Sequence, residues 1–251
     1  MKPTFAFLFF FVSSLACFGQ SQIVITNLAE QQKLGREFVQ ELLSLRPETN
    51  SSGKGVMKIR DAKGKTTEIA LQFNTVVTSN DWRAVYRAKP NTPDQTMLMV
   101  INKDNSPNKT VLSDASQTEG SPHVPGLHGN ETMIPFSCSD FWLADLGLEF
   151  LHWPEQRMIK KEMSRSQFCK VIESINPQPA SNAYSKVISW IQHEGGGIVH
   201  AEAYDAKGKL LKIFEPKEIE KVGGQWQLRE MEMRNVQTGS RTRIEFDLET
   251  K

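Results

Sequence analysis

From Gly55 onward the chain alternates. "VMKIRD" and "TEIALQFNTV" place apolar and polar residues in turn, and "DWRAVYRAK" and "QTMLMVINK" repeat the pattern. After a different kind of segment it resumes in Gln156–Met163, Gln167–Ile175, Tyr184–Gln192, Ile198–Tyr204, Leu210–Pro216, Trp226–Arg234 and Thr242–Glu249. A period of two marks strands with one packed face and one wet face. In "RIEFDL", Ile244, Phe246 and Leu248 face one way, while Arg243, Glu245 and Asp247 face the other. The connectors "DAKGK", "PNTPD", "EGGG", "VGG" and "QTGS" supply the glycines and prolines of tight turns. "DAKGK" occurs at Asp61–Lys65 and Asp205–Lys209, which reads as one hairpin-turn solution used twice rather than as a duplication. About eleven strands joined this way make a large antiparallel sheet. Such a sheet must curl, close or split, and strong curvature creates a concave face that something has to fill.

Two segments break the alternation. In "ITNLAEQQKLGREFVQELLSLRPE", Leu34, Phe38, Leu42 and Leu45 form one apolar stripe, Thr26 or Asn27 offers an N-cap, and Pro47 ends the run. This predicts an amphipathic N-terminal helix, followed by "ETNSSGKG" as a solvated turn. The second break is "SCSDFWLADLGLEFLHWPEQR", Ser137 to Arg157. With Ser139 or Asp140 as cap, Asp145, Glu149 and His152 form a narrow polar stripe and nearly everything else is apolar. A helix apolar almost all round belongs inside something. Gly147 marks a kink or the meeting of two short turns, and Pro154 stops the helix. The segment reads as a plug or lid helix over the concave face; periodicity alone equally allows an ordinary core helix. Before it, residues 103–132 are polar and proline-containing, a long loop of the kind that is functional or mobile.

The class is therefore mainly β, α+β, with residues 20–251 as one domain. Net charge is +1 over 251 residues, which argues against a dedicated nucleic-acid binder. Lys2, the apolar Phe5–Val12 and the small residues Ser13, Ser14 and Ala16 read as an export leader over residues 1–19, too short to span a bilayer. Cys17 after Ala16 also allows a lipid anchor. Cys138 and Cys169 would meet an oxidising compartment, where a bridge between them and two separate buried thiols both remain open.

No catalytic set appears: GxSxG, HExxH and Walker patterns are absent. His123 and His128 lack a settled metal-ligand spacing. Helix capping explains Asp140, and surface solvation explains Asp145, more cheaply than an acid pair. Asn50, Asn108 and Asn130 match the glycosylation pattern, which carries meaning only outside bacteria. No catalysis, metal or cofactor is expected.

Three stretches together carry a resemblance. "SDFWLADLGLEFLHWPEQR", "YSKVISWIQHEGGGIVHAEAYDAKGKLLK" and "GSRTRIEFDLE" resemble the bacterial outer-membrane lipoprotein-sorting proteins, and more closely their uncharacterised LolA-like branch. The carrying residues are Asp140, Phe141, Asp145 and Leu146, then Trp190, Ile191, Tyr204, Asp205, Gly208, Lys209, Leu210 and Lys212. The resemblance implies an unclosed antiparallel β-barrel with helices in its concave face, residence in the periplasm, and carriage of acyl chains. The expected partners are lipoprotein acyl chains or phospholipid, with an envelope transport complex beside them, no nucleic acid and no integral membrane residence. The expected cavity lining is Phe141, Trp142, Leu146, Phe150 and Trp153, with Met97 and Met99 from a strand, since flexible methionines suit variable acyl tails. The alternative is an envelope interaction or sensor module with a permanently filled cavity.

Overall fold

The computed structural model describes residues 22–103, 106–114, 125–193, 196–222 and 225–247. The leader segment, Cys17 and His123 lie outside the described residues.

One antiparallel sheet of 13 strands organises the chain. A first meander comprises β2 (Ser51–Arg60), β3 (Thr66–Val77), β4 (Trp82–Ala88), β5 (Thr96–Asn102) and β6 (Lys109–Asp114). A second comprises β7 (Glu155–Ser164), β8 (Gln167–Ile175), β9 (Tyr184–Gln192), β10 (Ile198–Asp205), β11 (Leu210–Val222), β12 (Gln225–Asn235) and β13 (Arg241–Asp247). Pairing of β13 with β2 joins the two, and β1 (Ile23–Val24) extends the β7 edge. The strand order β1-β7-β8-β9-β10-β11-β12-β13-β2-β3-β4-β5-β6 leaves β1 and β6 at opposite edges, so the barrel is unclosed. Both "DAKGK" segments are hairpin turns of one design. Asp61 Oδ1 accepts from the Lys63 and Lys65 N–H groups, and Asp205 Oδ1 from those of Lys207 and Lys209.

The strand count exceeds the sequence expectation at the sheet edges. β1 is only two residues long, and β6 sits inside the polar loop expected over 103–132. The turn expected at "ETNSSGKG" ends early, because β2 already begins at Ser51. β11 runs past Pro216 to Val222. The proline is tolerated because it falls at a register shift against β12, beyond the last β10 partner, Phe214.

Helix α1 (Leu28–Leu43) is capped by Asn27, whose side chain accepts the Glu30 N–H. It lies directly on β7: a Cβ on Gly35 would stand 2.6 Å from the Gln156 carbonyl oxygen and 2.7 Å from the Arg157 Cα. The helix-to-strand distance is thus set by the absence of one side chain.

The expected central helix is not one helix. A four-residue α2 (Leu143–Leu146) and a 3-10 turn (Glu149–His152) meet at Gly147 and Leu148, and Leu148 has φ +49°. That left-handed residue reverses the chain, so no continuous stripe forms. The cap differs as well: Trp142 is the N-cap, and the Asp145 carboxylate accepts its N–H at 2.7 Å. Around this segment two cores form. Phe150, Trp153, Phe38 and Tyr184 share one; Phe136, Phe141, Leu143 and Leu98 share the other.

Candidate functional site

A cavity of about 920 Å³ lies between the C-terminal half of α1, the central segment and the concave face of β3–β5. Val39, Leu42 and Leu43 face it from α1, and Trp82, Ala84, Tyr86 and Val100 from the sheet. The central segment contributes Leu146, Leu148, Leu151 and Trp153. This volume falls at the upper end of what small-molecule sites use, roughly 300–1,000 Å³. Arg36, Lys103 and His152 also line it, and none of the lining residues among those described is acidic. Burial holds the His152 imidazole below its ordinary 6.5, so it is neutral at pH 7.

Gly147 shapes the floor. A Cβ there would come within 3.4 Å of both Val100 methyl carbons, and the Gly147 carbonyl accepts from Asn108 Nδ2 at 2.8 Å. Asn108 is 2% exposed, so it is no glycan acceptor despite its sequence pattern.

The expected lining residues divide. Leu146 and Trp153 face the cavity. Phe141 and Phe150 are buried in the two cores beneath it, 1% and 5% exposed. Trp142 stacks on Tyr184 with centroids 4.5 Å apart and planes 10° apart. Met97 and Met99 lie on the opposite face of the sheet, packed with Val85 and Val111. On β5 it is Leu98 and Val100 that turn inward. The two cysteines are free thiols, Cys138 exposed and Cys169 buried, and no bridge joins them.

The polar stripe is not solvated either. The Tyr184 hydroxyl donates to Asp145 at 3.0 and 3.1 Å, and Lys212 Nζ donates to Asp145 Oδ2 at 3.3 Å. Lys212 is 1% exposed, with Nζ 3.7 Å from the Trp142 ring centroid. Asp140 is likewise buried. Its carboxylate accepts from Ser240 Oγ and Thr242 Oγ1 while its own N–H donates to Thr242 Oγ1. Glu149 accepts the Gly129 N–H, and burial raises its carboxyl above the ordinary 4.5. The "DF-x-x-x-DL" acids are therefore anchors to β9, β11 and β13. Sequence reasoning missed this pairing; the sole hint was a lysine on the inward-facing side of a strand pattern, between Leu210 and Phe214.

Burial and its partners set opposite pH responses. Desolvation pulls Lys212 from 10.5 to about 8, while burial and the adjacent Asp145 push Tyr184 well above 10.0. Between pH 8 and 10 the unfolded chain binds more protons at the lysine, so stability rises with pH. Above pH 10 the unfolded tyrosine ionises and the folded one does not, so stability falls. Urea titrations across pH 7–11 will show this maximum near pH 10, and Lys212→Met will remove its rising limb.

A family model described as an uncharacterized protein matches residues 124–249. No curated protein matches the chain. Among solved structures, a DUF1329 family protein from Desulfovibrio piger superposes with a TM-score of 0.67 at 18% identity, covering 87% of this chain and 92% of that one. A putative outer membrane lipoprotein-sorting protein domain from Vibrio parahaemolyticus gives 0.67 at 20% identity, covering 86% and 92%. A LolA superfamily protein from Nitrosomonas europaea gives 0.57 at 11% identity, covering 85% and 92%.

Proposed function

The chain belongs to a family of uncharacterised proteins with the LolA-like fold, and we propose that it binds and carries acyl chains in a bacterial envelope. The supporting observation is the cavity itself: about 920 Å³, with apolar side chains contributed by α1, the central segment and the sheet of an unclosed barrel. Residues 1–19 act as the export leader in this reading, and residues 20–251 form the carrier domain in the periplasm. The chain-binding residues are those that face the space, Leu146, Trp153, Tyr86 and Val100 among them. Phe141, Trp142 and Phe150 support the floor. Arg36 and Lys103 in the lining favour a ligand whose head group is anionic.

Among the described residues no helix is long and apolar enough to cross a membrane. A second reading, an interaction module with a filled cavity, draws support from how much of the concave face Phe141, Leu143 and Phe150 already occupy.

Displacement of a fluorescent fatty acid distinguishes the two. The protein is expected to take up the probe and to co-purify with an acyl ligand visible by native mass spectrometry. Ala84→Trp, which fills the space from the sheet wall, is expected to weaken uptake about tenfold or more while the fold is retained. A protein that is empty as isolated and takes up no probe defeats the carrier reading and leaves the interaction module.

A further inference from the structure

The outer face of the sheet holds an arrangement that the acyl cavity does not use. We propose that Arg234, Arg241 and Arg60 form a binding site for a phosphate-class oxyanion. The three stand in one row across three adjacent strands: Arg234 is the direct partner of Arg241, and Arg241 of Arg60. Directly opposite side chains have Cβ atoms roughly 4.5–5.5 Å apart, and like charges at that spacing destabilise a sheet. All three are exposed. No hydrogen bond or ion pair holds any of the three guanidinium groups among the described residues.

The neighbours do not compensate. The row continues to Ile213 on one side and Thr66 on the other, neither of them charged. In the adjacent rows Glu68 is the direct cross-strand partner of Lys58, and three further acids are engaged in ion pairs. Glu232 pairs with Arg243 at 3.0 Å and Lys217 at 3.3 Å, Glu230 with Arg243 at 3.1 Å, and Glu245 with Lys58 at 2.8 Å. Those acids are paired with Arg243, Lys217 and Lys58, and the three arginines of the row stand together. Among the described residues Asp61 is the carboxylate that lines the site, and its Oδ1 is occupied by two backbone N–H groups.

The row also opens onto a concavity. Arg60, Arg234 and Arg241 line a depression of about 270 Å³ between the β2–β3 and β12–β13 turns. Gly239 sits on its wall with open space where a Cβ would be. Guanidinium groups present rigid paired donors that match a tetrahedral oxyanion, and binding one would neutralise the repulsion within the row. The site lies at the Arg60/Thr66 end of the strands, whereas the acyl cavity is lined by Thr75 and Trp82 at the other end. It is therefore a separate site. The phosphate is either that of a lipid head group or a free ion.

The test uses the whole protein, with calorimetric titration of inorganic phosphate and co-sedimentation with phosphatidylglycerol-containing or pure phosphatidylcholine vesicles. Arg241→Gln, at the centre of the row, is expected to weaken binding roughly tenfold or more. It should leave the unliganded protein as stable or more so, since the repulsion is lifted. Lys33→Gln on α1 is the control of equal charge and should change nothing. Phosphate binding lost in Arg241→Gln supports a free ion as ligand. Binding to phosphatidylglycerol vesicles alone, lost in the same variant, supports a head group. Neither probe binding, or equal loss in Lys33→Gln, overturns the proposal.

Discussion

Asp145→Asn will destabilise the fold by about 3–5 kcal/mol, the usual effect of removing one partner from a buried ion pair. Three groups lose their acceptor or its charge together: the Trp142 N–H at 2.7 Å, the Tyr184 hydroxyl at 3.0 Å and the Lys212 ammonium at 3.3 Å. Lys212 is 1% exposed and cannot turn to water. For a chain of this size the change corresponds to a fall in melting temperature of roughly 6–20 °C. The double variant Asp145→Leu with Lys212→Met will recover a large part of that loss, because it removes both charges and the desolvation they carry. Urea denaturation of the two variants checks both statements. A single-variant effect below about 1 kcal/mol, typical of surface ion pairs, would mean that the pair is solvated.

Gly35→Ala will destabilise the protein by about 1–3 kcal/mol, although the same change in an exposed helix stabilises by up to about 1 kcal/mol. The reversal follows from geometry. The added Cβ would sit 2.6 Å from the Gln156 carbonyl oxygen and 2.7 Å from two backbone atoms of Arg157, and none of these is the end of a flexible side chain. Either α1 lifts from β7 or the strand shifts. Because Val39, Leu42 and Leu43 of the same helix face the cavity, the variant should also alter acyl-probe uptake. Thermal melting with probe titration on one sample measures both effects, and unchanged stability would show that the helix is not seated on the strand.

The periodic elements were legible from sequence, and the reasons are local. β8 and β9 fall on the expected residues Gln167–Ile175 and Tyr184–Gln192, because their β-branched and aromatic residues are bounded by polar turn residues, Arg165 and Ser166 before β8 and the proline-containing stretch 176–183 between the two. Asn27 caps α1 as its position before the first apolar stripe suggests. What was not legible was long-range. The acids of the central segment read as a solvated stripe, yet the partners of Asp145 are 39 and 67 positions away. Sequence spacing carries no trace of such a pairing. That Met97 and Met99 face away from the cavity is not legible either, because "MLMVI" is apolar at both parities, and a strand with two apolar faces gives no register of its own. β6 was hidden by its short apolar content, Val111 and Leu112, inside a polar, proline-flanked stretch.

An unclosed barrel lacks the seam of hydrogen bonds that would fix its girth. The central segment takes over that duty here. It is tied to β13 through Asp140, to β9 and β11 through Asp145, and to Asn108 beside the β6 edge through Gly147. These ties reach from the second meander across to the far edge of the first, so they act as a cross-brace between the two walls of a gutter. The width of the chamber is then a property of the brace rather than of the sheet. Lengthening or shortening that single strut would change the chamber's width while every strand pairing around it stayed the same.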